Sequence, residues 1–142
     1  ICNLYPYSNI LLPNEIKGNL NKETISKYDF IFMTPNQMTN LSDNTVDLTI
    51  NIDSFQEMQM LQIQYYIENI QIKNKNQSHL FLHNRSEKQL YNFNNKKNAN
   101  IQNIKFRDYP LKNNENIFHQ KCKFSEMTIK DECQIRLDRI NK

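Results

Sequence analysis

Residues 40–58, from Asn40 to Met58, read N-L-S-D-N-T-V-D-L-T-I-N-I-D-S-F-Q-E-M. Val46, Leu48, Ile50 and Ile52 alternate with Asp47, Thr49, Asn51 and Asp53, the two-residue period of a β-strand. The turn beyond it gathers Asn51, Asp53, Ser54, Gln56 and Glu57. Behind the turn, Ser54 and Glu57 stand at the S-x-x-E spacing of a capping box and predict a helix from about Phe55 to Gln71. Its apolar face combines Met58, Leu61 and Tyr65 with a neighbouring line of Met60, Ile63, Ile67 and Ile70. Asn74 to Gln77 closes the helix, and Leu80-Phe81-Leu82, between His79 and His83, reads as a strand buried on both faces. Strand, helix and strand make one parallel βαβ unit and set the fold class as α/β. In open α/β sheets, ligands bind outside the carboxyl ends of the strands. The turn at Asn51–Glu57 and the His83-Asn84-Arg85 run therefore become the candidate site.

Working outward, Asn9-Ile10-Leu11-Leu12-Pro13 predicts a short strand stopped by proline, and Asn19 to Lys27 a small helix or loop. Asp29 to Met33 predicts a buried strand ended by Thr34-Pro35, with Asn36 to Thr45 a connector anchored by Leu41. Ser86 to Phe93 suggests a short helix, Asn92 to Asn103 an Asn/Lys-rich surface loop, and Ile101 to Phe106 an extended segment. Ile117–Phe124 and Cys133–Ile140 predict an antiparallel strand pair at the sheet edge.

A chain of 142 residues, 38% hydrophobic, fits a single domain. Its net charge of +3 is scattered, which favours neither nucleic acid nor an anionic membrane as partner. No apolar run approaches the about 18 residues of a membrane span. Three cysteines (Cys2, Cys122, Cys133), without C-x-x-C spacing, fit reduced thiols of a cytoplasmic protein better than a disulfide framework. A metal site of His119, Cys122 and Cys133 requires the last two strands to pair, and no metal is expected. Gly18 is the only glycine and no G-x-G occurs, although cofactor-binding α/β domains need glycine where backbone meets phosphate. The chain also opens on Ile1 rather than Met. The expectation is a single partial domain, 1–142, from the C-terminal portion of a longer protein whose glycine-rich loop lies upstream.

The run Leu41-Ser42-Asp43-Asn44-Thr45-Val46-Asp47-Leu48 resembles the fourth-strand region of class I S-adenosylmethionine-dependent methyltransferases. Asn51-Ile52-Asp53-Ser54-Phe55-Gln56-Glu57-Met58 is similar to the core of bacterial sugar O-methyltransferases, and the likeness extends from Phe30 to Arg85. The resemblance implies the C-terminal part of a Rossmann-like sheet ending in an antiparallel pair. It implies S-adenosylmethionine as cofactor and a sugar or glycan hydroxyl as acceptor, in polysaccharide synthesis. Oligomeric state stays open.

Methyl transfer to a hydroxyl needs aligned reactants and a base. Asp53, at the strand end, is the first candidate base, its competing role being a helix-capping carboxylate. Glu57 and His83 are further catalytic candidates; capping explains Glu57 equally, and polar strand edging explains His83. Met33, Thr34 and Gln37 are cofactor candidates by analogy. Asn51, on the face of Asp53 by alternation, is a candidate for the amino acid end of the cofactor or a sugar hydroxyl, its competing role being a backbone-satisfying amide. Ser54, Asn84 and Arg85 are acceptor candidates, Ser54 also being a natural helix cap. The rival reading is a non-catalytic α/β binding module or an inactive remnant.

Overall fold

The computed structural model describes residues 6–87, 104–111, 114–123 and 132–142. The chain forms two compact units, Ile1–Thr45 and Val46–Lys142. The expected loop at 92–103 lies outside the described residues, as do most of the short helix at 86–93 and the first part of the extended segment at 101–106.

In the first unit, β1 (Ile10–Leu11) pairs in parallel with β2 (Phe30–Ile31). Pro13 ends β1 by opening a 3-10 turn at Pro13–Glu15, since it has no N–H to give a neighbouring strand. Between them lies α1 (Lys22–Ile25), capped by Asn21, whose side chain accepts from Thr24 N at 2.8 Å. The buried strand expected at 29–33 shrinks to two half-buried residues, and Phe32 and Met33 are exposed. Thr34-Pro35 cuts it short, because proline fixes its own φ and starts the 3-10 turn Pro35–Asn40. Leu20 bridges Leu41, the anchor foreseen in the connector.

The second unit is a four-stranded sheet with order β3-β4-β6-β5. Here β3 is Val46–Ile52, β4 Asn74–Arg85, β5 Asn114–Lys123 and β6 Glu132–Ile140. β3 and β4 run parallel, as the βαβ reading requires, and α2 (Met60–Lys73) connects them. β6 is antiparallel to both β4 and β5, so the terminal antiparallel pair is present.

Three features of the second unit differ from the sequence reading. The helix begins at Met60, after a separate 3-10 turn at Phe55–Glu57. The chain turns sharply at Asp53, whose φ is 54°, a left-handed conformation that an aspartate tolerates better than most residues. Ser54 gives the turn no side-chain cap; its Oγ instead accepts from Asn51 Nδ2. The start of α2 is closed by Gln59 N donating to Gln62 Oε1 at 2.9 Å. Secondly, α2 buries Ile63, Ile67 and Ile70, while Leu61 is 76% exposed and Tyr65 is exposed as well. The buried apolar stripe is the isoleucine line alone, at i, i+4 and i+7, and Met58 falls outside the helix. Thirdly, β4 is far longer than Leu80–Leu82; Leu80 and Leu82 are buried but Phe81, facing the other way, is only half-buried.

The core follows from this geometry. Leu80, Leu82 and Ile140 line the buried side of the sheet, with Ile63, Ile67 and Ile70 from α2 also in the core. Each such aliphatic side chain contributes about 1.5–3 kcal/mol on burial. On the opposite side, Leu48, Ile50 and Ile52 of β3 are more than half exposed. Past Val46, the half-buried members of β3 are therefore the polar Thr49 and Asn51. Thr49 donates to Asn74 Oδ1 at 2.8 Å, which satisfies both groups at the base of the helix-to-strand turn.

Candidate functional site

The parallel strands β3 and β4 end side by side, with Ile52 opposite His83. Past that point the left-handed turn at Asp53 brings its backbone N–H onto His83 O at 2.8 Å. This bond holds the two carboxyl ends together and presents the 53–57 turn above them.

A polar chain crosses the strand ends. Asn84 Nδ2 donates to Asn51 Oδ1 at 2.9 Å, and Asn51 Nδ2 donates to Ser54 Oγ. Gln56, nearly fully buried, accepts from Arg85 N at 2.6 Å and so ties the turn to the end of β4. Two acceptor atoms in this region are buried and make no hydrogen bond with the described residues: Asp53 Oδ1 and Asn84 Oδ1. Asn84 is 0% exposed. Unpaired buried acceptors carry a desolvation cost of about 1–3 kcal/mol each, and a ligand that donates hydrogen bonds removes it.

The polar chain continues across the sheet. Asn84 stands opposite Gln134 of β6. The Gln134 amide donates to Ser86 Oγ at 2.6 Å, while its Oε1 lies 2.9 Å from His119 Nε2. Beneath the turn lies an aromatic cluster. Phe55 meets Tyr109 edge-on at 5.8 Å and Tyr66 at 6.1 Å; Phe106 lies 5.1 Å from Tyr109 and stacks on His119 at 5.7 Å. Burial pushes the Tyr109 phenol well above its ordinary range, so it stays neutral.

Of the residues singled out in the sequence, Asn51, Ser54 and Asn84 form one hydrogen-bonded group, with Asp53, His83 and Arg85 joined to it through the backbone. Glu57 shares the turn but is exposed, and with Ser54 turned to Asn51 the expected capping box is not formed. Met33, Thr34 and Gln37 belong to the first unit. There Gln37 serves structure: its Oε1 accepts from Thr34 N at 2.9 Å and its Nε2 donates to Pro13 O at 2.7 Å. Sequence reasoning gave no role to Gln56, Gln134 or Tyr109. Gln56 lies inside the quoted S-F-Q-E-M run; the other two carry no local signal, since only strand register brings them in.

The structure also corrects the cysteine reading. Cys122 faces Cys133 directly across β5 and β6, Cα to Cα 5.0 Å, and the two are joined as a disulfide. The third residue beside them is His83, not His119: the ligand atoms of His83, Cys122 and Cys133 all lie within 4.8 Å of one another.

No family model and no curated protein matches the chain. Among solved structures it is similar to a "putative type 11 methyltransferase" from Sulfolobus solfataricus, at 14% identity and a TM-score of 0.49, over 100% of this chain and 90% of that one. A likeness that loose says nothing about activity. Among the described residues no helix is long and apolar enough to cross a membrane.

Proposed function

We propose that this chain takes part in S-adenosylmethionine-dependent methyl transfer to a hydroxyl oxygen of a sugar or glycan, with the ends of β3 and β4 as its reaction centre. One observation carries the reading: a buried, unpaired carboxylate oxygen on Asp53, held by a left-handed turn at the carboxyl end of a parallel strand. Support also comes from the sequence resemblance across Asn40–Met58.

The donor set suits such a cofactor. Asp53 Oδ1 and Asn84 Oδ1 are acceptors without donors, and ribose hydroxyls, an ammonium group and an acceptor hydroxyl all bring donors. When bound, S-adenosylmethionine supplies a methyl group activated by a sulfonium charge. The chain's own part is positioning and proton transfer. Asn51, oriented by Ser54 and Asn84, offers a fixed amide to one reactant. Asp53 takes the proton of the attacking hydroxyl, worth typically 10²–10⁴-fold in rate. Arg85 and Asn84 stand at the acceptor side, and Gln56 keeps the turn seated on β4.

The test uses the native protein that contains this chain, labelled S-adenosylmethionine and a panel of free and nucleotide-linked sugars. Asp53→Asn is the informative variant, because asparagine keeps the left-handed turn and the shape while removing the base. Turnover should fall by about 10²-fold or more, with cofactor binding within a few-fold of the parent. Turnover within about threefold of the parent would take Asp53 out of the mechanism. A parent that neither binds the cofactor nor methylates any hydroxyl would replace the enzyme reading with that of a binding module.

A further inference from the structure

We infer that Cys122, Cys133 and His83 form a thiol-gated Zn²⁺ site on the sheet face opposite Asn84. The inference stands on geometry and does not depend on the methyltransfer reading.

Three strands supply one ligand each: β4 gives His83, β5 gives Cys122 and β6 gives Cys133. Register explains the convergence. Cys122 and Cys133 are direct partners, and Cys133 stands opposite Arg85, two residues from His83 and therefore on the same face. His83 Nε2 lies 3.6 Å from Cys122 Sγ, and no two of the three ligand atoms are more than 4.8 Å apart. Tetrahedral zinc, with Zn–S about 2.3 Å and Zn–N about 2.05 Å, requires a sulfur–nitrogen edge of about 3.6 Å and a sulfur–sulfur edge of about 3.8 Å. The Cys122–His83 edge is already in place, and the Cys133–His83 pair lies within 4.8 Å. The sulfur–sulfur edge forms when the disulfide is reduced and the sulfurs move apart.

The ligand set is chemically selective. Two thiolates and one imidazole favour zinc over hard oxygen-seeking cations. Three protein ligands leave the fourth position of the tetrahedron to water or another donor. Cys133 is buried, whereas Cys122 and His83 are half-buried, so the ion enters from their side. His119, expected beside the cysteines, lies three residues from Cys122 on the same strand. It faces the other way, onto Phe106 and Gln134, and takes no part.

Loading and oxidation exclude each other. In the reduced state two thiolates and His83 hold Zn²⁺. A low-molecular-weight disulfide R–S–S–R is attacked by the more exposed Cys122 thiolate, releasing one R–S⁻ and leaving a mixed disulfide. Cys133 thiolate then attacks the Cys122 sulfur, releasing the second R–S⁻ and closing the Cys122–Cys133 bond. Two electrons pass to the reagent's sulfurs, the two cysteines are oxidised, and Zn²⁺ leaves because both sulfur ligands are consumed.

The test uses the full chain carrying Cys2→Ser, so that only the paired cysteines remain. After reduction and removal of the reductant, it is titrated with Co²⁺ as a spectroscopic probe and then with Zn²⁺ in competition. One equivalent of Co²⁺ should give a thiolate charge-transfer band and the visible absorption of a tetrahedral site, both abolished by Zn²⁺. Adding a small disulfide should release one Zn²⁺ for every two thiols lost. His83→Gln should weaken Zn²⁺ by more than the 10- to 100-fold that loss of an outer partner costs. Cys122→Ser, a small change at a half-buried position, should abolish the charge-transfer band while circular dichroism shows the fold retained. No binding by the reduced chain would overturn the inference, as would undiminished affinity in His83→Gln or metal retained after oxidation.

Discussion

Arg136→Met tests the charge arrangement that pins the sheet together. Asp138 is fully buried in β6. Its carboxylate accepts from Arg136 Nε at 2.7 Å, Asn116 Nδ2 at 3.0 Å and Asn114 Nδ2 at 3.3 Å. Methionine keeps much of the arginine stem and removes the charge. Deleting one partner of a buried pair costs about 3–5 kcal/mol, because the remaining charge stays buried without its counter-ion. Two amide donors remain, and the Arg136 side chain is itself 21% exposed, so the low end applies: about 3 kcal/mol. For a unit of this size each kcal/mol moves Tm by about 4–8 °C, giving a fall of about 12–24 °C. Thermal unfolding followed by circular dichroism measures it. Changing Asp138 to Leu in the same chain removes the stranded charge and should recover part of the loss. A fall below about 4 °C for Arg136→Met, or a double variant clearly worse than the single, would refute the account.

The α2 face can be checked by contrast. Leu61→Lys should change stability by no more than about 0.5 kcal/mol, whereas Ile67→Ala should cost about 2–5 kcal/mol; equal effects in urea unfolding would mean the helix is rotated from its described orientation. Gln56→Leu removes the acceptor for Arg85 N and should cost about 1–3 kcal/mol, read in the same assay. Stability should also decline with alkali. The Tyr109 pKa is raised in the fold, so above about pH 10 the unfolded chain loses a proton that the folded one keeps. The resulting loss, up to about 1.4 kcal/mol per pH unit above that point, should vanish in Tyr109→Phe.

The parts of this fold that could be read in advance are those fixed by short-range periodicity. The alternation over Val46–Ile52 is a strand, and Met60–Lys73 is helical. What periodicity does not carry is the choice of face. Leu48, Ile50 and Ile52 look like a core stripe yet are exposed, because α2 covers the other side. Ser54 and Glu57 have capping-box spacing, but the positive φ at Asp53 breaks the chain between strand and helix, and Ser54 Oγ is taken by Asn51. The histidine beside the cysteines turned on parity. His119 and Cys122 are an odd number apart in one strand and so face opposite ways, a rule already available in the sequence. Selecting His83 instead needed the β4–β6 register, which no local pattern encodes.

That register has a consequence for how the second unit opens. β3, α2 and β4 are consecutive, and β5 and β6 are near neighbours in sequence. The strands of the two halves pair along one seam, His79–Arg85 against Cys133–Arg139. Asn84, buried Asp138, His83 and Cys133 all sit on or beside it. Any fluctuation that parts the seam therefore separates His83 from both cysteines and breaks the Gln134–Ser86 bond in the same event, while the Asn84–Asn51–Ser54 bonds stay within the β3–β4 half. In hydrogen exchange the amides along β4 and β6 should exchange as one cooperative block. Zn²⁺ on the cysteine–histidine group, which bridges the two halves, should hold the seam closed and slow exchange along its whole length.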